Sequence, residues 1–343
     1  MWEFSVSRPS VTFQWTKADP AMRLTCAFAT SMDTPEHIRL AESLGYEHAW
    51  CYDSPALYPD VWVQLCRSAE RTSTIGLGPG VLIPSLRHPM VTAAAIGTLV
   101  DIAGQDRVAV AVGTGFTGRF TMGQRPLKWV DVASYVTTVR ALLRGDVVTW
   151  DGGRMQMMHP DGFGPSRPIE VPFLLGAAGP KGIATAKEID AGLFLAGAAP
   201  VPGFDWEPYL MPGTVLRDGE GTDSERVMRA AGHAVTVAYH FFAENNLPTE
   251  LLPGFDEWAG AYDDVVDDER HLALHDLHMI DVNARDRPFV TPQHIELLGA
   301  AWTAAALRER LASLEAGGVT DIAYQPAGDI PSELEAFAAV FHG

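Results

Sequence analysis

Cysteine is scarce in this sequence, membrane-length apolar runs are missing, and basic residues are heavily outnumbered. Cys26, Cys51 and Cys66 make an odd count with no C-x-x-C spacing, which excludes a disulfide framework and a thiolate metal site. Cys26 and Cys51 fall in strand-like runs, where a thiol behaves as a small buried apolar group. No apolar stretch reaches the ~18 residues a membrane helix requires. The opening "MWEFSVSRPSVTFQWTKADPA" lacks the basic and apolar regions of a secretion signal. A cytoplasmic protein with an irregular arm over residues 1–21 is expected. Lys and Arg number 25 against 43 Asp and Glu, for a net charge of −18. Nucleic-acid binding needs a basic face and is excluded. Repeats and low-complexity tracts are absent as well.

What is present is a regular alternation. Short β-rich runs fall at 23–29, 47–53, 74–83, 107–113, 172–178, 191–197, 233–241 and 321–327, several of them apolar on both faces. Between them lie punctuated helices. "TPEHIRLAESLG" opens on Thr34 and Pro35 and ends at Gly45, another starts at Asp60, and "TAAALRERLASLEAGG" opens at Thr303. Eight strands alternating with helices predict an α/β fold, a parallel (β/α)8 TIM barrel over residues 22–343. The 343 residues exceed the ~250 usual for that barrel. Insertions at about 147–171, 198–224 and 243–302 are therefore expected, capping the C-terminal mouth. The first of them contains a hairpin around Asp151-Gly152-Gly153.

The run "GTGFTG" (113–118) matches a dinucleotide fingerprint letter for letter. That fingerprint belongs at the first βα turn and opens a helix directly, with an acidic residue at the end of the next strand. Here it follows the fourth strand, an irregular stretch comes next, and Asp131 begins a helix. A Rossmann domain is excluded. What remains is a glycine-rich loop at the barrel mouth where a ligand could approach the backbone. Two more such strand ends accompany it. "GPGVLIPSLRHP" (78–89) marks a bulge, with His88 as a structural residue at a helix start. "GAAGPKG" (176–182) leads into a helix N-terminus with Lys181 beside it, a natural phosphate site.

On these segments the chain resembles the luciferase-like flavin and deazaflavin oxidoreductases, most of all the coenzyme F420-dependent branch. The carriers are "AERTSTIGLGPGVLIPSLRHPMVTAAAIGTLVDIAGQDRVAVAVGTG" and "PIEVPFLLGAAGPKGIATAKEIDAGLF". The resemblance implies a luciferase-like barrel, usually a homodimer, holding a flavin-like ring at the strand C-termini. It implies a non-prolyl cis peptide at Gly80-Val81 behind that ring and Asp53 at the ring's polar edge. Gly113, Thr114 and Gly115 would line the cofactor, and Ala177, Ala178, Gly179, Pro180 and Lys181 would hold its phosphate. Two departures matter. The family's sugar-phosphate dehydrogenases end strand two in Asp-His and place Glu after Gly-Thr-Gly, where this chain has Asp53-Ser54 and Phe116. The implied activity is hydride transfer between F420 and a small organic substrate, with reduction of an activated C=C or C=N bond. An FMN-dependent monooxygenase using O2 is the alternative, and a non-catalytic cofactor-binding protein the next.

Hydride transfer benefits from a proton donor. "HLALHDLH" places His271, His275 and His278 on one helical face. That pattern suits metal ligands, a group facing the substrate, or hydrogen-bonded core histidines. No carboxylate-supported metal motif accompanies them, so no metal is expected, though a metal-dependent barrel hydrolase would use the same cluster. His278 is the first candidate donor, with Ser54 and Tyr58 beside strand two as alternatives. Trp50 faces either the core or the ring. Arg119, Arg125 and Lys128 form a cationic group suited to an anionic cofactor tail.

Overall fold

The computed structural model describes residues 22–245 and 247–343; the arm expected over 1–21 lies outside the described residues. In chain order the strands are β1 (Arg23–Phe28), β2 (His48–Cys51), β3 (Gly76–Pro79), β4 (Val110–Gly113), β5 (Val148–Trp150), β6 (Gly153–Met155), β7 (Phe173–Gly176), β8 (Gly192–Ala196), β9 (Pro208–Pro212), β10 (Thr214–Val215), β11 (Ala301–Trp302) and β12 (Asp321–Gln325). The helices are α1 (Thr34–Ser43), α2 (Val61–Ala69), α3 (Pro89–Ala103), α4 (Phe116–Phe120), α5 (Trp129–Arg144), α6 (Pro180–Glu188), α7 (Glu225–Asn245), α8 (Phe255–Gly260), α9 (Arg270–Leu274), α10 (Pro292–Leu297), α11 (Ala304–Ala316) and α12 (Ile330–Phe341).

Eight strands pair in the order β3-β2-β1-β12-β9-β8-β7-β4, and the pairs are parallel. Parallel bridges Leu77↔Val108 and Leu82↔Val112 join the two ends, so the sheet closes as the (β/α)8 barrel expected. Local signals hold at several helix starts. Asp60 accepts hydrogen bonds from the N–H groups of Trp62 and Val63, and the Thr303 hydroxyl accepts from Ala306. His88 caps α3 through Nδ1. α1 starts at Thr34 with Asp33 as its cap, one residue before the cap read from sequence. β5 and β6 form the hairpin, turning through Asp151 and Gly152 at φ 48° and 78°.

One strand is corrected. Residues 233–241, "HAVTVAYHF", lie within α7. Their β-branched and aromatic residues favour a strand locally, but Val227, Ala231, Val235 and Tyr239 recur every four residues and are all buried. They pack with Trp258, Tyr262, Val282 and Ile295 in a second core, and tertiary burial overrides local propensity. The seventh barrel strand is β9, inside the stretch 198–224 that sequence assigned to a cap. Its flanking prolines make it read as a loop, yet Pro208 and Pro212 occupy the two strand ends, where a missing N–H is tolerated. The long helical excursion therefore leaves after β9 and returns before α11. It is clipped at its base by β10 and β11, paired Thr214↔Ala301 and Val215↔Trp302.

Strand alternation sorts the barrel's side chains. Leu24, Cys26 and Phe28 face the helices, while Ala27 faces the axis together with Trp50, Ala109, Ala111, Leu174, Phe194, Trp206 and Ala323. Trp50 is thus a core residue, fully buried, with its ring edge-on to Phe194 at 5.2 Å. At the opposite end from the mouth, buried Asp321 pairs with Arg23 at 2.9 Å. No helix of the described residues is long and apolar enough to cross a membrane.

Glu207, just before β9, is fully buried. Its Oε1 accepts from the Val201 N–H at 2.9 Å, its Oε2 has no partner, and burial pushes the carboxyl up to about 7. A carboxyl raised above its unfolded value contributes stability that is complete below that value and lost as pH rises through the folded one. Denaturant melts should show the wild type losing about 2–3 kcal/mol between pH 4.5 and 7.5, at about 1.4 kcal/mol per pKa unit. E207Q should flatten that slope, and an unchanged slope would refute the assignment.

Candidate active site at the barrel mouth

The mouth is organised by the bulge after β3. The Gly80-Val81 peptide is cis, as the resemblance implied. Gly80 donates its N–H to Cys51 O at 2.8 Å, Leu82 to Ala111 O at 2.7 Å, and Gly113 to Leu82 O at 3.0 Å. The bulge is thereby stitched to β2 on one side and β4 on the other. A methyl group at Gly80 would sit 3.0 Å from Trp50 Cβ. Val81, half-buried, rests on the axial cluster. A methyl at Gly113 would stand 2.7 Å from its Cγ2, and one at Gly176 would stand 2.6 Å from its Cγ1. At Gly115, φ is +82° and a methyl would meet Ile83 Cγ2 at 2.6 Å. These glycines are demanded by protein neighbours as well as by any ligand.

The end of β2 supplies the polar groups. Asp53 is buried, accepts from the Ile83 N–H at 3.2 Å, and takes both its oxygens to Arg87 Nη1 at 2.8 and 2.7 Å. Burial raises its pKa, and the Arg87 charge opposes the rise. Arg87 continues to Asp60 at 2.8 Å, so Asp53 pins the strand-two end to the bulge loop. Ser54 is buried, and a methyl at Gly118 would stand 3.1 Å from its Oγ. The buried Tyr58 hydroxyl donates to the His278 carbonyl. Sequence reasoning passed over Tyr52. Like Val81 it packs on the axial cluster; its buried hydroxyl has no partner, and burial holds its pKa well above 10. Period-two alternation from Trp50 would have found it.

Across the mouth, the β7–α6 turn lies open. Ala177 is buried, whereas Ala178, Gly179, Pro180 and Lys181 are exposed, and a methyl at Gly179 would touch nothing within 4 Å. The free N–H groups of α6 and the Lys181 ammonium suit a phosphate. Gly182 instead serves packing: a methyl there would meet Trp129 Cζ2 at 2.5 Å. Arg119 is committed to Arg125 O at 2.6 Å and Ser85 Oγ at 2.5 Å, while Arg125 and Lys128 are exposed. Thr114 is half-buried beside Gly113.

The histidines regroup. His275 and His278 are buried and join His240 of α7, which sequence reasoning missed by reading α7 as a strand. His271 lies outside this group and contributes its carbonyl, which accepts from His275 Nδ1 at 2.8 Å. His278 reaches Thr117 Oγ1 through Nε2 at 3.3 Å, beside the Gly-Thr-Gly loop. Its neighbours and burial lower its pKa well below 6.5, burial most.

The interlock of Val81 with the glycine strand ends is measurable. G113A should cost about 1–3 kcal/mol by overpacking. Adding V81A should return part of that loss, with a coupling of at least about 0.5 kcal/mol in a double-mutant cycle of thermal melts. Additive losses would show that the contact is not what excludes a side chain at 113.

Comparison with known proteins agrees with this geometry. Over 302 residues the chain is 27% identical to a 5,10-methylenetetrahydromethanopterin reductase from Archaeoglobus fulgidus, covering 83% of this chain and 87% of the relative. Among solved structures it resembles the coenzyme F420-dependent tetrahydromethanopterin reductase of Methanopyrus kandleri, with TM-score 0.64, 20% identity, and coverage of 92% and 97%. It also resembles an F420-dependent secondary alcohol dehydrogenase in complex with an F420-acetone adduct, with TM-score 0.63, 18% identity, and coverage of 93% and 98%. The family model for luciferase-like monooxygenases matches residues 4–211, more than half of the chain. The chain belongs to the luciferase-like monooxygenase family.

Proposed function

We propose that the protein is a coenzyme F420-dependent oxidoreductase that transfers hydride between the deazaflavin and a small organic substrate, reducing an activated C=C or C=N bond. The observation that carries this reading is Val81, presented on the Gly80-Val81 bulge between the side-chain-free strand ends Gly113 and Gly176. A planar ring fits against such a floor. The residues around it fit the rest of the group. An unpartnered Tyr52 hydroxyl faces the same layer, and α6 offers free N–H groups beside the open Gly179. The names of the two similar structures support the cofactor, and those of the similar reductases support a reduction.

When bound, the deazaflavin supplies the hydride donor or acceptor. The chain's own residues orient and shield. Val81 would back the ring, Gly113, Thr114 and Gly115 would border it, and Ala177 to Lys181 would hold the phosphate. Asp53, clamped by Arg87, fixes the distance between the β2 end and the bulge. Tyr52 stays protonated across the physiological range, and its free Oη would be available to donate to a bound group. Ser54, Tyr58 and His278 stand on the substrate side, where Tyr58 locks the His278 backbone. Phe116 lies edge-on to Phe120 at 4.9 Å and 5.8 Å from Phe241, an aromatic wall that favours an apolar substrate. Arg125 and Lys128 are placed for an anionic tail. The family expectation of a homodimer belongs to the same proposal.

Separate titrations with F420 and FMN, read by quenching of the nine tryptophans, test the cofactor. Saturable F420 binding with none for FMN is expected. FMN binding with O2 consumption would move the protein to the monooxygenase alternative, and binding of neither would refute the assignment. Y52F should bind F420 like the wild type yet lose about 100-fold in kcat, the lower range for a removed acid–base group.

A further inference from the structure

His240, His275 and His278 are 1%, 1% and 5% exposed, and one ring nitrogen from each lies within 4.8 Å of the others. They come from α7 and from the turn after α9. His240 Nδ1 faces His278 Nδ1 at 3.3 Å. Nitrogens bound at about 2.0–2.1 Å around a tetrahedral ion stand about 3.3–3.4 Å apart, so this separation is that of two ligands on one zinc. His275 Nδ1 is taken by the His271 carbonyl, which leaves Nε2 for the centre. His278 Nε2 hydrogen-bonds Thr117 Oγ1 at 3.3 Å, and His240 Nε2 lies 3.5 Å from Asp286 Oδ2 without an aligned hydrogen bond. Oxygen partners on the far nitrogen are how metal-binding imidazoles are oriented.

Charge and rigidity point the same way. Glu244 Oε1 approaches His275 Nε2 at 3.1 Å, but neither that nitrogen nor Glu244 Oε2 has an aligned hydrogen bond. Two largely buried carboxylates, Glu244 and Asp286, thus flank three imidazoles. Asp286 is immobilised by Trp258 Nε1 at 2.6 Å, Tyr262 Oη at 2.7 Å and Asn283 Nδ2 at 2.8 Å. Leu277 and Met279, on either side of His278, have φ of 57° and 61°, a left-handed backbone uncommon outside glycine that persists where surroundings over-determine it. Gln325 at the end of β12 donates to Met279 O at 3.3 Å, tying this turn to the barrel. His275 and His278 line a cavity of about 290 Å³, with Leu57, Thr121 and Leu272 among its walls.

We propose that His240, His275 and His278 form a binding site for a zinc-class divalent cation, with a fourth position open to this cavity. Three imidazoles without a thiolate select zinc, nickel or copper over magnesium or calcium. Three protein ligands with one open position are the arrangement of a zinc that can hold water or a small ligand. The site shares His278, and its contact with Thr117, with the substrate side of the mouth, but its argument does not rest on the hydride-transfer reading.

The test uses the full chain with any affinity tag removed and dialysed against chelator. Cobalt titration should give one equivalent bound per chain and the intense visible bands of a tetrahedral ion, and zinc should displace it. H275A should abolish the bands. H271A, whose ring lies outside the group, should keep them. D286N should weaken binding about 10- to 100-fold, as removal of a carboxylate behind a ligand does. If H275A fails to fold, wild-type stoichiometry and spectrum still decide. A folded wild type without cobalt bands, or one whose bands survive H275A, would overturn the site and leave a hydrogen-bonded histidine cluster. Because F420 titration of the chelated protein is a separate readout, failure of one reading is distinguishable from failure of the other.

Discussion

The barrel axis is full. Trp50, Phe194 and Trp206 occupy its middle, and the alanines at 27, 109, 111 and 323 make room for them. Chain that crosses above this column has no space below it, which is why position 80 carries no side chain and why Val81 is seated on top. Gly113 and Gly176 then yield to Val81, and Gly115 yields to Ile83. The glycine-rich character of the mouth is therefore first a consequence of packing density. Close-packed interiors leave no slack for a methyl group. A ligand bound there would inherit a floor that the core has already shaped.

Around that floor, charge and hydrogen bonding divide the labour. Asp53 and Arg87 form a paired clamp on one wall, and the Tyr52 hydroxyl remains an unclaimed polar group near the axis. On the far side the α6 N-terminus is open to solvent. The excursion from β10 to β11 brings a second core of its own, with Tyr239 stacked on Trp258 at 5.0 Å. Its histidines reach the barrel through Thr117 and Gln325. One mouth thus borders two chemically different neighbourhoods.

Much of the site was legible from residue order alone. The bulge and the glycine-rich β7–α6 turn follow from local motifs whose backbone demands are short-range, whereas the cis bond at Gly80-Val81 was implied only by the family resemblance. The reading failed where local and distant forces disagree. "HAVTVAYHF" favours strand by propensity, but a face repeating every four residues found partners more than twenty positions away. "PYLMP" looks like a loop until its prolines are seen to occupy strand ends. His240 was lost with the first of these errors, because a strand would have carried it away from His275 and His278.

By itself the sequence determined the barrel class, the low cysteine count, the acidic balance and the glycine-rich strand ends, since each depends on composition, period or a turn rule. The tertiary structure alone decided that Trp50 fills the core, that Tyr52 is the unpartnered hydroxyl near the axis, and that three histidines from two distant segments converge. Those outcomes depend on which side chains meet across the closed sheet and on the burial that follows. No residue carries that information alone.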